Sequence, residues 1–235
     1  MPVDIKSTRD VQFDGVKCAI YGRSGIGKTP LAATAPKPFI ISAEHGLLSV
    51  ASKDIPFAVA ESLTQVDDIF KHVSKSDDIE TIFIDTVSEI ADILIGKLLK
   101  GVKDNRQAYA QAVHPINTMI RNFRSIRDKN VVFVCKEKKV FDDEGDLIGY
   151  EPWLPGKVIP EGFPYLVDEV FSMQVDRKGK KFLQTQPDRK RECKDRSCML
   201  DAQEYGTGPN GEINLTEIFE KIRVGIEKLA EENKP

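Results

Sequence analysis

The residues with the clearest chemistry form one glycine-rich run near the start of the chain, Gly22, Arg23, Ser24, Gly25, Ile26, Gly27, Lys28 and Thr29. Their spacing is that of a phosphate-binding loop, G-x-x-x-x-G-K-[ST]. Glycines let the backbone N–H groups turn inward around an anion, and the helix that follows adds the positive end of its dipole. All eight residues are therefore predicted to bind ATP. Lys28 is expected to reach the β- and γ-phosphates as a catalytic cation, and Thr29 to ligate Mg²⁺.

One residue beside this loop departs from the usual pattern. Pro30 follows Thr29, at a position where a free backbone N–H normally helps to hold the α-phosphate. Proline has no N–H, although it is tolerated in the first turn of a helix. The sequence predicts an intact loop with weaker or altered nucleotide binding, by about the 1 kcal/mol of one hydrogen bond.

The surrounding sequence alternates apolar strand-like runs with helix-like segments. Residues 16–21 before the loop, and residues 38–42, 81–85 and 131–135, have the composition of buried strands. The helical segments are residues 64–75, 86–100 and 108–128, with a possible break at Pro115. Residues 136–163, rich in Pro and Gly, are expected to form a hairpin followed by a loop, and residues 202–214 a linker. This alternation predicts an α/β fold with a mostly parallel sheet and helices on both faces. In such sheets the ligand lies at the carboxyl ends of the strands.

Two acids follow predicted strands and so are expected at that ligand-binding edge. Asp85 ends the run 81–85, where it is predicted to hold Mg²⁺; the alternative is an N-cap for the next helix. Glu44 follows the run 38–42, where it is predicted to act as the catalytic base on the attacking water; the alternative is a surface acid in a turn. Glu89, one helical turn after Asp85, is the rival base.

Length, charge and composition exclude several classes of protein. The 235 residues suffice for one large α/β domain, and a net charge of −3 gives no overall basic field for nucleic acid. No apolar run approaches the roughly 20 residues of a membrane span, and the first ten residues lack the apolar segment of a signal peptide. We therefore expect a cytoplasmic protein with no membrane partner. The cysteines, including the C-x₄-C pair Cys193 and Cys198, lack the further ligands of a zinc site and are expected to be free thiols.

Several motifs together resemble those of a known family. The segments 39–47 and 81–89, in this order after the phosphate loop, are similar to the core of RecA-type ATPases. Residues 154–157, 165–170, 183–188 and 193–196 resemble compact phage AAA/RecA-like nucleotide-binding proteins, some of which serve as recombinases and single-strand annealing proteins. The resemblance implies a RecA-like P-loop NTPase core over residues 1–200, a linker and C-terminal helix over 201–235, and a phage protein in the cytoplasm of a bacterial host.

The resemblance also implies an active site that closes between subunits of a homo-oligomer. Lys194 and Arg196 match, in order and spacing, two basic residues that reach a neighbouring subunit's γ-phosphate, and they are expected to be catalytic. The alternative is that residues 189–196 form an ordinary solvated basic face. In RecA-type proteins the segment after the strand that matches residues 131–135 carries a nucleotide-sensing side chain, usually Gln, and then a mobile DNA-binding loop. Here residues 136–138 are Lys-Glu-Lys, so the sequence does not identify a sensor.

Local basic clusters provide candidate contacts for single-stranded DNA. Three clusters are present, at residues 97–106, 121–129 and 177–191, and aromatic residues lie near the first and in the segment that precedes the third: Tyr109, Phe141, Tyr150 and Trp153. Single-strand binders combine such charges with stacking rings. With the resemblance, this indicates an ATPase acting on single-stranded DNA in phage-type recombination or annealing, with a single-strand-binding protein as a further partner. The alternatives are an ATPase of phage replication or packaging and a nucleotide-gated assembly protein with little turnover.

Overall fold

The computed structural model describes residues 7, 12–43, 46–102, 104–156, 158–208 and 211–232. The ten described strands are β1 (Lys17–Gly22), β2 (Pro38–Ser42), β3 (Phe57–Val59), β4 (Thr81–Asp85), β5 (Asn130–Phe141), β6 (Leu147–Trp153), β7 (Glu169–Val175), β8 (Lys181–Gln184), β9 (Lys194–Asp195) and β10 (Gln203–Tyr205). The helices are α1 (Leu63–Val73), α2 (Val87–Leu99), α3 (Asn105–Arg124), α4 (Val158–Leu166) and α5 (Leu215–Glu232). Two 3₁₀ helices span Thr29–Thr34 and Leu47–Lys53.

All ten strands form one sheet, in which the order β10-β8-β7-β1-β5-β4-β2-β3 places β5 between β1 and β4. The strands from β7 to β3 pair in parallel, and the antiparallel strands β8 and β10 extend the sheet beyond β7. In this register Gly22 aligns with Lys136, and Asp85 aligns with both Val134 and Ser42. The carboxyl ends of β1, β2, β4 and the parallel part of β5 therefore lie along one edge, which we call the carboxyl edge.

The central strands are apolar on both faces because each face is covered. Helices α1 to α4 pack on the face that carries Tyr21, Ile84 and Phe133. The 3₁₀ helices and α5 pack on the face that carries Ile20, Phe83 and Val134. The prediction of a mostly parallel sheet with helices on both faces is confirmed.

The details of several segments differ from the sequence expectations. The run after Pro30 forms a 3₁₀ helix, and α3 continues through Pro115 without a break. The predicted hairpin is formed by β5 and β6, but it is followed by α4 where a loop was expected. The segment 202–214, expected to be a linker, contributes β10 to the sheet, and α5 buries Leu215, Ile218, Phe219 and Ile222 in the core. All four cysteines are free. None of the described helices has the length and apolar character needed to cross a membrane.

A buried carboxyl group lies at the amino end of β7. Glu169 is 1% exposed, and its carboxylate accepts hydrogen bonds from the backbone N–H groups of Arg196 and Ser197, both at 3.1 Å. Burial, followed by repulsion from Asp195, raises the pKa of Glu169 to about 7. Between the pKa of an unfolded glutamate, about 4.3, and this raised pKa, the folded chain binds more protons than the unfolded chain. The free energy of unfolding should therefore fall as pH rises through this window.

The substitution Glu169→Gln should remove this contribution, because glutamine does not titrate. We expect the wild-type free energy of unfolding to fall between pH 5 and pH 8 more steeply than that of the variant, by up to about 3 kcal/mol. Urea denaturation at both pH values measures the difference. Glu231→Gln, at an exposed position of α5, is the control and should follow the wild type. Equal pH dependence in the wild type and Glu169→Gln would contradict the raised pKa.

Candidate nucleotide-binding site

The predicted phosphate loop joins β1 to the 3₁₀ helix Thr29–Thr34 and borders a cavity of about 730 Å³ at the carboxyl edge. Gly25 and Gly27 have φ angles of 75° and 108°, a left-handed conformation that side chains disfavour. Ile26 is 5% exposed and packs in the core beneath the loop, so it anchors the loop instead of lining the cavity. The other seven residues of the loop line the cavity. The loop is thus a fixed backbone turn around an open space.

Thr29 and Asp85 meet at this cavity although they are 56 residues apart in the chain. The Thr29 hydroxyl donates a hydrogen bond of 2.6 Å to Asp85 Oδ2. The N-cap of α2 is Thr86, whose hydroxyl accepts the Glu89 N–H at 3.1 Å, so Asp85 is not needed as a cap. Burial raises the pKa of the Asp85 carboxyl, whereas the hydrogen bond from Thr29 and the charge of Lys28 lower it. The arrangement presents a hydroxyl and a carboxylate, both hard oxygen donors of the kind that Mg²⁺ prefers.

Lys28 folds back over its own loop. Its Nζ donates hydrogen bonds to the carbonyl oxygens of Gly22 and Arg23, at 2.7 and 3.1 Å. Burial lowers the pKa of the Lys28 ammonium, and Asp85 makes the largest opposing contribution. Within the described residues, the Lys28 ammonium is thus held by carbonyl groups, which an anionic ligand can replace.

Of the two candidate bases, Glu44 and Glu89, the structure describes only Glu89. Glu44 lies outside the described residues; β2 ends at Ser42, which aligns with Asp85, and the Ala43 N–H donates to the Asp85 carbonyl at 3.2 Å. Glu89 forms an ion pair with Lys136 across the α2–β5 contact, and Lys136 also lies 3.5 Å from Asp92. The rival base is therefore already paired with a cation.

Sequence reasoning did not identify a polar network that borders the cavity. Glu137, which lines the cavity just beyond the end of the parallel part of β5, accepts a hydrogen bond of 2.8 Å from the Arg191 guanidinium. Arg191 also donates to the Ser172 hydroxyl at 3.0 Å and lies 4.2 Å from the centre of the Tyr150 ring. The position of Glu137 after a buried strand was a usable signal, but nothing in the sequence indicated its pairing with Arg191.

Lys194 and Arg196 lie at the opposite edge of the sheet, which we call the amino edge. β9 pairs with the start of β7, where Glu169 aligns with Cys18 near the start of β1. Lys194 Nζ donates to the carbonyl oxygens of Pro164 and Val167, at 2.9 and 2.7 Å. Arg196 pairs with Asp168 at 2.7 Å. The structure therefore does not bring this basic pair to the phosphate loop of the same chain.

A second cavity, of about 630 Å³, adjoins the first and was not predicted from the sequence. The two share Gly27, Pro30 and Lys181. Its other walls combine apolar and polar groups from the 3₁₀ helix Thr29–Thr34, β7 and the segment around the start of α5, including Leu31, Met173, Ile213, Asn214 and Thr216. Hydrogen bonds from Leu215 N–H and the Thr216 hydroxyl to Thr34, at 3.1 and 2.7 Å, hold that last segment in place.

The basic clusters predicted for DNA contact lie on different parts of the molecule. Arg121 and Arg124 border a cavity at the amino edge, together with Asp14 and Asp168. Residues 177–180 form the turn between β7 and β8, on the side of the phosphate loop. The cluster at 97–106 lies between α2 and α3, with Lys103 outside the described residues. Local charge therefore does not by itself define one DNA-binding groove.

Comparison with known proteins identifies the family. A search of curated proteins gave no match. The family model described as "AAA domain" matches residues 14–197, which is well over half of the 235-residue chain and includes the phosphate loop, Asp85 and β1 to β9. With its phosphate loop at the carboxyl edge of a mostly parallel sheet, the chain belongs to the AAA domain family and carries an AAA-type, P-loop ATPase-like domain that binds nucleotide.

Proposed function

We propose that this protein binds ATP with Mg²⁺ and hydrolyses it. The observation that carries the proposal is the hydrogen bond of 2.6 Å between Thr29 and Asp85 at the mouth of the phosphate loop. A loop threonine and a strand-end aspartate that meet beside the loop lysine are the protein groups that hold Mg²⁺ and the β- and γ-phosphates in P-loop proteins. When bound, Mg²⁺ would neutralise charge on the phosphates, and Thr29 and Asp85 are the residues that would hold it.

The protein's own groups have separate tasks in this proposal. The N–H groups of the loop surround the β-phosphate, and Lys28 exchanges the carbonyl groups of Gly22 and Arg23 for the terminal phosphates. Preorganised positive groups of this kind stabilise the charge that develops during transfer to water. Glu44 is the proposed base, because it follows β2 at the carboxyl edge whereas Glu89 is paired with Lys136.

The order of the strands suggests how a bound nucleotide would be oriented across the phosphate loop. Thr29 and Asp85 mark the γ-phosphate end, toward β4. The adjoining cavity lies on the other side of the loop, toward β7 and β8, and shares Gly27 and Pro30 with the phosphate cavity. Its size and mixed apolar and polar walls suit a base and ribose. We place the nucleoside there.

We also propose a homo-oligomer in which Lys194 and Arg196 act on a neighbour's nucleotide. Their position at the amino edge supports this, because residues that serve the next subunit in a head-to-tail assembly must lie away from their own phosphate loop. The carbonyl groups of Pro164 and Val167, and the Asp168 carboxylate, hold the two side chains at that edge.

Single-stranded DNA in phage-type recombination or annealing is the proposed substrate, with a single-strand-binding protein as a further partner. The region around the start of α3 supports this best, because Tyr109 is 41% exposed and lies one helical turn after Arg106 on α3. The β5–β6 hairpin is less suitable. Its turn carries four carboxylates, and the rings of Tyr150 and Trp153 face Arg191 and Lys136. Four acids repel DNA phosphates, so we place stacking at Tyr109.

A nucleotide-gated assembly protein with little turnover is the second candidate, and Pro30 is the observation that favours it. The missing N–H removes one contact to the α-phosphate, and the helix that follows is 3₁₀ instead of α. Steady-state ATP hydrolysis with and without single-stranded DNA separates the two candidates. Turnover stimulated by DNA supports the ATPase, whereas ATP-dependent assembly without turnover supports the alternative.

Lys28→Ala and Asp85→Asn should separate nucleotide binding from metal binding. Lys28→Ala removes the main cation at the terminal phosphates and should weaken ATP binding by about 100-fold or more. Asp85→Asn should bind ATP nearly normally in EDTA but lose the gain in affinity that Mg²⁺ gives the wild type, because a carboxylate ligand is lost. Titration calorimetry measures both effects. Lys75→Ala, at an exposed position after α1, is the control. Unchanged ATP affinity in Lys28→Ala would disprove the phosphate-loop assignment.

Mixed oligomers test whether Arg196 acts between subunits. Arg196→Ala should bind ATP nearly as well as the wild type yet lose hydrolysis, and Glu44→Gln should lose hydrolysis by a factor on the order of 10² or more. Mixing the two variants should restore part of the activity, because some interfaces then pair an intact Glu44 with an intact Arg196. Mixed oligomers that form at all ratios but stay inactive would rule out action between subunits.

A further inference from the structure

Lys181, the first residue of β8, places its ammonium group directly over the phosphate loop. A β-carbon added at Gly27 would lie only 2.7 Å from Lys181 Nζ, so this cation occupies the space above the second half of the loop. Lys181 also lines both the phosphate cavity and the adjoining cavity. Among the described residues, no other one outside the loop and its 3₁₀ helix lines both cavities.

The backbone of Lys181 is held firmly relative to the loop. Lys181 pairs with Val175 across the β7–β8 hairpin, and β7 pairs with β1, the strand that leads into the loop. The hairpin turn is closed by Asp176, whose carboxylate accepts the N–H groups of Lys178 and Lys180, both at 2.8 Å. Two strand pairings and a hydrogen-bonded turn therefore fix the position of Lys181 beside the phosphate loop.

The Lys181 ammonium forms no ion pair with a carboxylate within the part of the chain that the structure describes. Lys136 and Lys138 on the neighbouring hairpin are each paired with a carboxylate, but Lys181 forms no such ion pair. Lys180, the last residue of the turn before β8, lies elsewhere, with its ammonium 5.0 Å from the centre of the Tyr205 ring. An unpaired cation above an anion-binding loop is positioned for an anionic ligand.

The position of Lys181 indicates which phosphates of a bound nucleotide it would contact. Thr29 and Asp85 meet on the β4 side, where the terminal phosphates belong. Lys181 stands on the β8 side and shares the walls of both cavities with Pro30, the residue that lacks the N–H for the α-phosphate. We propose that Lys181 contacts the α- and β-phosphates of the nucleotide bound to its own chain and supplies the donor that Pro30 lacks. This inference rests on the proposed nucleotide site and assigns a binding residue to it.

The test measures ADP and ATP affinities of single and double variants by titration calorimetry. Lys181→Ala should weaken ADP and ATP by the same factor, about tenfold, the worth of one charge-assisted hydrogen bond. Lys181→Arg should retain most of the affinity, and Lys180→Ala, the neighbouring lysine, should match the wild type. In a Pro30→Thr background, which restores the N–H, the loss caused by Lys181→Ala should be clearly smaller. Thermal unfolding of each variant shows that the fold is intact.

Several results would overturn the inference. Unchanged affinity in Lys181→Ala would remove Lys181 from the site, and a loss confined to ATP would place it at the γ-phosphate. An equal loss in Lys180→Ala would indicate a general effect of charge. A full tenfold loss in the Pro30→Thr background would show that Lys181 does not replace the missing N–H. If the wild type binds neither ADP nor ATP, the proposed function itself fails, whereas wild-type binding with an unaffected Lys181→Ala rejects this inference alone.

Discussion

The hydrogen bond between the Thr29 hydroxyl and the Asp85 carboxylate depends on the strand order, the register and the core of the whole sheet. It joins the end of the phosphate loop to the end of β4, although β5 separates β1 from β4 in the sheet. The contact requires three parallel strands in the observed register, with Gly22 level with Lys136 and Asp85 level with Val134. A shift of one residue would turn the Asp85 side chain to the other face of the sheet. The apolar core on both faces is what enforces that register.

The two edges of the sheet have different electrostatic characters. At the carboxyl edge, Lys28, Lys139 and Lys181 line the cavity without ion pairs in the described part of the chain, whereas Asp85 and Thr29 provide oxygen donors. At the amino edge, Lys194 and Arg196 are tied to carbonyl groups and to Asp168, close to the buried Glu169. This separation is what the proposed assembly requires, in which one edge binds phosphate and the other supplies cations to a neighbouring subunit.

Cations near the cavity differ in how they are held, and this difference decides what each can do. Lys136 is paired with Glu89, and Arg191 with Glu137, so both pairs stabilise the start of the β5–β6 hairpin. The Arg191 guanidinium is 17% exposed and the Glu137 carboxylate 13%, so removing one partner would leave a poorly solvated charge. Lys28 and Lys181, which lack carboxylate partners among the described residues, remain available to a ligand. The structure thus separates cations that are held in ion pairs from cations that are not, where the sequence shows only basic residues.

The sequence by itself determined the phosphate loop, the strand-ending Asp85 and the α/β class, because these depend on local spacing and on the alternation of apolar runs. It also predicted the hairpin, but not α4, since Pro160, Gly162 and Pro164 suggest a loop, whereas in the fold Ile159 and Phe163 of this helix are buried in the core. Only the tertiary structure decided which distant residues meet: Thr29 with Asp85, Glu89 with Lys136, and Glu137 with Arg191. It placed Lys194 at the amino edge and Lys181 over Gly27, although both lie in basic runs that look alike in sequence. The physical reason is that strand order and register are set by long-range burial, which the local pattern of residues does not specify.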